Sequence, residues 1–181
     1  LFPDLLNLYG DSGNIICLMQ RSKWRGIEPK LITYKIQDEI DFDHTDILFI
    51  GGGSDREQSI VCDKLKSIRE SLEKYVERGG VILAICGGYQ LLGESYRAAN
   101  NDIVEGVGIL DIKTENGEGR LIGNMIIKSE VCDMPIVGFE NHGGRTFIGD
   151  CEPLGRVVVG NGNNGQDKTE GIHFKNVYGT Y

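Results

Sequence analysis

The spacing of apolar positions predicts alternating strands and helices in the first half of the chain. Short apolar runs rich in β-branched residues predict buried strands at residues 46–50 and 80–85, and residues 30–34 have the composition of another strand. Apolar residues three and four apart predict helices over residues 15–24 and 55–77. Strands that alternate with helices and are joined by short glycine-rich turns indicate an α/β domain with a mostly parallel sheet.

The pattern changes past Arg97, where shorter strand-like runs lie between Gly and Asn turns. These runs are residues 104–112, 121–128, 136–139, 156–159 and 171–174. Residues 161–165 predict a turn or loop. We find no internal repeat and no linker, so we expect residues 1–181 to form a single domain whose C-terminal half is rich in strands.

Composition excludes several classes of function. A net charge of −8 argues against nucleic acid as the main partner, because phosphate binding needs a basic face. No apolar run approaches the ~20 residues of a membrane span. The five cysteines are widely spaced without a Cys-x-x-Cys pair, which disfavours disulfides and zinc and is typical of the reducing cytoplasm. With three histidines, no metal centre is expected.

One cysteine lies where a predicted strand ends and a helical pattern begins. Cys86 follows the run 80–85, and Gly87-Gly88 separate it from Tyr89, where helical spacing resumes. A sharp strand-to-helix turn exposes a nucleophile, and a helix N-terminus lowers the pKa of a thiol and offers free backbone N–H groups. Cys86 is therefore a candidate nucleophile for acyl transfer. The alternative is a cysteine that only packs, as buried free cysteines often do.

A second glycine loop, Gly51-Gly52-Gly53, follows the other apolar run. If the two strands are neighbours in a parallel sheet, both loops open onto one edge. One loop can then supply the thiol and the other a backbone N–H for the oxyanion of a tetrahedral intermediate. A plain turn that needs positive φ is the alternative. A phosphate loop is disfavoured because the segment lacks the required lysine.

Three segments together resemble a class I glutamine amidotransferase of the cobyric-acid-synthase-like branch. They are Gly51-Gly52-Gly53-Ser54-Asp55-Arg56-Glu57, Cys86-Gly87-Gly88-Tyr89-Gln90 and Glu140-Asn141-His142-Gly143-Gly144-Arg145-Thr146. The resemblance spans nearly the whole chain, and within the branch it extends to the glutaminase subunits that serve a Mur-ligase-like partner. It implies a mostly parallel, flavodoxin-like sheet flanked by helices.

The resemblance also implies an activity and a set of site residues. L-glutamine is hydrolysed through a thioester on Cys86, and ammonia passes to a ligase subunit that binds ATP and amidates the D-glutamate α-carboxyl of lipid II in peptidoglycan synthesis. No metal or organic cofactor is implied for this chain. The other implied residues are oxyanion-hole Gly52, Gly53 and Gly87, substrate-binding Gln90 and Arg120, and site-shaping Asn141 and His142. Without the resemblance, Arg120 is best interpreted as a solvated loop charge.

The chain departs from the family pattern in one respect. In relatives the base histidine lies just past a Gly-Thr-Tyr segment, and here the sequence stops at Tyr181. We therefore expect a chain trimmed at both ends. His142 is an alternative base if it reaches Cys86 by a hydrogen bond. Asp11 is expected to cap a helix at Asn14 or, less simply, to orient a base.

Two other functions stay open from the sequence. A catalytically silent partner-binding domain is compatible with the absent base, and a glutamine-like electrophile would not label its cysteine stoichiometrically. A cysteine hydrolase of the intracellular-peptidase type shares the strand-to-helix turn. It would cleave peptides and would have no use for Arg120 in binding an α-carboxylate.

Overall fold

The computed structural model describes residues 1–7, 11–98, 101–129 and 131–181. The helices are α1 (Asp11–Trp24), α2 (Asp55–Ser67), α3 (Arg69–Glu77) and α4 (Gly87–Leu91). The strands are β1 (Ile47–Ile50), β2 (Val81–Ile85), β3 (Ser95–Arg97), β4 (Ile103–Glu105), β5 (Ile112–Lys128), β6 (Ile136–Ile148), β7 (Gly155–Val159), β8 (Thr169–Glu170), β9 (Ile172–Phe174) and β10 (Val177–Thr180). None of these helices is both long and apolar enough to cross a membrane.

The smaller sheet has the strand order β1-β2-β10-β9. Strands β1, β2 and β10 are parallel, and β9 is antiparallel to β10. Alternate residues of the two apolar strands, such as Ile50 and Ile82, are fully buried in the main core, to which α2 and α3 contribute Leu65 and Leu72. The predicted α/β class is confirmed, because this mostly parallel sheet is covered by amphipathic helices.

The larger sheet has the order β4-β3-β5-β7-β8, with β6 also paired to β5. Strands β5 and β6 form a long antiparallel hairpin in which Ile112 faces Ile148 and Ile127 faces Ile136. The register shifts between Asn116 and Leu121, so residues 117–120 bulge out of the ladder. This bulge carries Arg120.

The strand predicted at residues 30–34 is wrong, because the structure has no regular element there. Leu31 and Ile32 are exposed, so their β-branched and apolar content is not buried against a sheet. A backbone hydrogen bond from the Phe2 N–H to the Tyr34 carbonyl at 2.8 Å ties the segment to the chain's first turn.

Other boundaries also differ from the prediction. Helix α1 already begins at Asp11 rather than after a loop, and the helix predicted over residues 55–77 breaks at Ile68 into α2 and α3. The run 104–112 is not one strand, since residues 106–111, which connect β4 to β5, lie outside the strands. Strands β3, β8 and β10 were not predicted.

Candidate active site

Cys86 occupies the turn between β2 and α4, as the sequence predicts. Its backbone has φ 50° and ψ −110°, a conformation that non-glycine residues rarely adopt and that is characteristic of strained functional turns. The Cys86 N–H donates to the Thr180 carbonyl at 2.9 Å, which fixes the turn to the end of β10. The side chain is half-buried, so the sulfur is neither in the core nor free in solvent.

The two glycine loops meet at this turn. Strands β1 and β2 are parallel neighbours, and the Gly88 N–H donates to the Gly51 carbonyl at 3.0 Å. A Cβ on Gly88 would lie 2.5 Å from the Ile50 carbonyl oxygen, so only glycine permits this approach. The prediction that both loops open onto one edge of the sheet is therefore confirmed.

The three predicted oxyanion donors have different surroundings. The Gly52 N–H donates to the Asp11 carboxylate at 3.2 Å, so this donor is already engaged. Gln58 Nε2 donates to the Gly53 carbonyl at 2.8 Å, and the same amide packs against Gly87. The roles of the glycines in the reaction stay predictions. Asp11 is buried in the first turn of α1, and its carboxylate makes this contact with Gly52; its expected cap at Asn14 stays a prediction.

A cavity of about 160 Å³ opens beside the thiol. Its walls include Gly53, Cys86, Gln90, Arg120, His142 and Gly144. Five of the residues expected from sequence at the site therefore line one cavity, namely Gly53, Cys86, Gln90, Arg120 and His142.

Arg120 stands on the bulge of β5 at the mouth of the cavity. Its Nε donates to Asn141 Oδ1 at 2.8 Å, and its Nη2 donates to the Asn141 carbonyl at 2.6 Å. A guanidinium has five N–H donors, so about three remain for a carboxylate. Burial raises the pKa of the Cys86 thiol, while a backbone hydrogen bond with Gly87 and the charge of Arg120 lower it.

Gln90, which lines the cavity, is hydrogen-bonded to Tyr181. Gln90 lies within α4 and donates from Nε2 to the Tyr181 hydroxyl at 3.0 Å. That hydroxyl is also 2.6 Å from Thr146 Oγ1. Burial raises the pKa of Tyr181 to about 12, so the phenol stays protonated in the physiological range. Neither Tyr181 nor Thr146 was assigned a role from sequence, and no local spacing distinguishes them.

His142 also lines the cavity and contacts Tyr181. Its ring stacks on Tyr181 with the centroids 3.6 Å apart, and its Nδ1 lies 2.8 Å from the Gly144 carbonyl. Its Nε2 is 3.8 Å from a Glu140 carboxylate oxygen, and burial lowers the pKa of the imidazole. These contacts describe a side chain that shapes the cavity, and its role as an alternative base stays a prediction. Within the described ranges no group of three or more His, Cys, Asp or Glu residues could hold a metal ion.

The chain belongs to the family of CobB/CobQ-like glutamine amidotransferase domains, which matches residues 1–181. It is 50% identical over 178 residues to the lipid II isoglutaminyl synthase (glutamine-hydrolyzing) subunit GatD of Staphylococcus aureus, across 98% of this chain and 72% of that protein. The GatD subunit of Streptococcus pneumoniae is 45% identical over 183 residues, which cover 100% of this chain and 70% of that protein. The predicted family resemblance is confirmed.

A solved structure shows the same fold. The structure of PurLQS from Thermotoga maritima superimposes with a TM-score of 0.66 at 19% sequence identity, over 99% of this chain and 82% of that chain. At this identity the likeness concerns the fold alone. It agrees with the α/β class that the apolar pattern predicts.

Proposed function

We propose that this chain is a glutaminase that hydrolyses L-glutamine to glutamate and ammonia through a thioester on Cys86. The main observation that supports this proposal is a half-buried thiol on a strained backbone. It shares a cavity of about 160 Å³ with Arg120. A guanidinium fork matches the α-carboxylate of an amino acid. Family membership and the GatD relatives support the same reaction.

The reaction follows from the placement of these groups. The Cys86 thiolate attacks the γ-carbonyl carbon of glutamine, and the carbonyl oxygen becomes an oxyanion. Backbone N–H groups of Gly53 and Gly87 would stabilise this charge, each by roughly 2.7–4 kcal/mol in the transition state. The C–N bond then breaks as the leaving nitrogen takes a proton, which releases ammonia. Water cleaves the thioester to glutamate and restores the thiol.

The attack needs a proton acceptor, because burial raises the pKa of Cys86. Strand β10 ends at Thr180, whose carbonyl accepts the Cys86 N–H at 2.9 Å. The family resemblance implies a base histidine just past a Gly-Thr-Tyr segment, and Gly179-Thr180-Tyr181 lies at the end of β10, beside the Cys86 turn. We propose that the base belongs to this family position rather than to His142.

The wider assembly is inferred from the relatives. We propose that ammonia passes to a Mur-ligase-like subunit, which would hold ATP and amidate the D-glutamate of lipid II, while this chain needs no metal or organic cofactor. Free cysteines are typical of the reducing cytoplasm, and all five cysteines of the chain are free, so we place the protein in the cytoplasm.

The test is ammonia release from glutamine by the full-length protein together with its partner subunit. Cys86→Ala should abolish release, whereas Cys17→Ala, at an exposed cysteine of α1, should leave it unchanged. No release by the wild type, or release that persists in Cys86→Ala, would sink the proposal. Stoichiometric labelling of Cys86 by 6-diazo-5-oxo-norleucine would further exclude a silent partner-binding domain.

A further inference from the structure

The side chain proposed to bind the substrate carboxylate stands on a segment outside the strand ladder. The pairing of β5 with β6 passes from Asn116 opposite Gly144 to Leu121 opposite His142, so residues 117–120 have no ladder partner. Glu118, Gly119 and Arg120 are exposed. An exposed bulge is normally mobile, yet a carboxylate clamp must be held within a fraction of an ångström.

Arg145 bridges this bulge to the cavity wall. Its Nη1 donates to the carbonyls of Gly143 and Gly144 at 2.8 and 3.2 Å. Its Nη2 donates to the carbonyls of Glu118 and Gly119 at 3.0 and 3.3 Å. One planar guanidinium thus binds four backbone carbonyls, two in β6 and two in the bulge of β5.

The packing of Gly117 supports the same role. A Cβ at Gly117 would overlap the guanidinium of Arg145, so the bulge backbone lies directly on that side chain. Asn141 completes the arrangement, because it accepts hydrogen bonds from Nε and Nη2 of Arg120. Arg145 holds the backbone that carries Arg120, and Asn141 holds its guanidinium.

We propose that Arg145 is a positioning residue that acts through Arg120 in binding the α-carboxylate of the substrate, an inference that rests on the proposed glutaminase function. A preorganised fork loses less conformational entropy when the carboxylate binds. Lysine cannot replace Arg145, because a compact ammonium with three donors does not match the planar fork that spans four carbonyls. The residue affects substrate binding rather than the chemistry at Cys86.

A double-mutant cycle tests the inference in the full-length protein with its partner subunit. Arg145→Ala should raise KM for glutamine about tenfold with kcat within about twofold, and Arg145→Lys should behave similarly. Arg120→Ala should raise KM further, and adding Arg145→Ala to it should cause no further loss. Arg78→Ala, which removes an arginine bound to the Phe42 carbonyl far along the chain, is the matched control and should leave KM unchanged.

Several outcomes would overturn the inference. They are additive losses in the double variant, an unchanged KM in Arg145→Ala, or full rescue by Arg145→Lys. Alkylation of Cys86 by iodoacetamide, which has no carboxylate, should stay within about twofold in Arg145→Ala. A much larger change would mean that the whole turn is disturbed, which also overturns a positioning role.

Substrate binding can be measured without turnover. Glutamine should protect Cys86 from iodoacetamide, and the half-protecting concentration should follow the same cycle as KM. If the wild type releases no ammonia but is protected, the proposed glutaminase function fails and the protection data decide the role of Arg145. If glutamine gives no protection in the wild type, both proposals fail.

Discussion

Cys86 combines a backbone that presents the sulfur with surroundings that oppose its ionisation. The positive φ of 50° turns the side chain away from the sheet and toward the cavity edge. Burial raises the pKa of the thiol, and the nearby charge of Asp11 acts in the same direction. The contact with Gly87 and the charge of Arg120 lower it. The turn therefore places the nucleophile, and ionisation depends on charged neighbours and a base.

Two substitutions should shift the reactivity of this thiol in opposite directions. Asp11→Asn removes a charge that raises the pKa of Cys86, so more thiolate forms and alkylation by iodoacetamide at pH 7.5 should quicken about two- to fivefold. Arg120→Gln removes a charge that lowers the pKa and should slow alkylation by a similar factor. Site-resolved mass spectrometry measures both rates. Asp4→Asn, at an exposed residue, is the control, and shifts of equal sign would contradict the electrostatic account.

Among individual residues, the sequence identified those whose position is indicated by their neighbours along the chain. Cys86 stands between an apolar run and two glycines, so its position at a turn could be predicted. The contacts of Asp11 with Gly52, Gln58 with Gly87 and Arg145 with the bulge could not, because they join segments far apart in the chain. Gln58 and Arg145 sit in or beside the motif segments, and only the folded geometry gives them partners.

The site depends on the close contact between the end of β1 and the start of α4. Helix α4 begins beside the Ile50 carbonyl because Gly88 has no side chain there. This close approach brings the triple-glycine loop and the thiol to one sheet edge. This contact also lies in the main core, next to fully buried Tyr89 and Leu91.

Gly88→Ala should be strongly destabilising, whereas Gly13→Ala should not. A Cβ at Gly88 would lie 2.5 Å from the Ile50 carbonyl oxygen and 2.9 Å from the Gly51 carbonyl oxygen, and backbone cannot yield as a flexible side chain can. We expect the free energy of unfolding to fall by about 2 kcal/mol or more. Gly13 lies in α1 with nothing within 4 Å, so alanine there should raise that free energy by up to ~1 kcal/mol. Urea denaturation measures both, and equal effects would contradict this packing.

Apolar elements of the main core were predicted well, and elements stabilised mainly by pairing were not. Strands β1 and β2 are apolar runs, and the structure confirms them. Strands β5 and β6 have 17 and 13 residues, far longer than the predicted runs 121–128 and 136–139. Many of their side chains are exposed, so the ladder continues through polar and glycine residues that have no apolar alternation. The strand expected at residues 30–34 fails for the opposite reason, since apolar residues there lie in solvent.

On the scale of the whole molecule, the two sheets are joined beside the cavity by one buried carboxylate. Glu170 belongs to β8 of the larger sheet, and its Oε1 accepts the Thr180 hydroxyl at 2.6 Å and the Tyr181 N–H at 3.0 Å. These groups lie at the end of β10 in the smaller sheet. The same strand end holds the Cys86 N–H, so this junction also supports the turn that carries the nucleophile.

The charge of Glu170 should make stability depend on pH. Burial raises the pKa of this carboxyl above its unfolded value, so between the two values the folded state binds more protons and stability falls as pH rises from about 4.3 upward. Glu170→Gln keeps an oxygen acceptor without a charge. At pH 7.5 its free energy of unfolding should therefore exceed that of the wild type by about 1 kcal/mol. The fall in stability with rising pH should be absent from this variant. Urea denaturation at pH 4.5, 6.0 and 7.5 compares them, with Glu28→Gln at an exposed site as the control. A Gln variant that is less stable at pH 7.5 and keeps the wild-type pH profile would mean that the junction requires the ionised carboxylate.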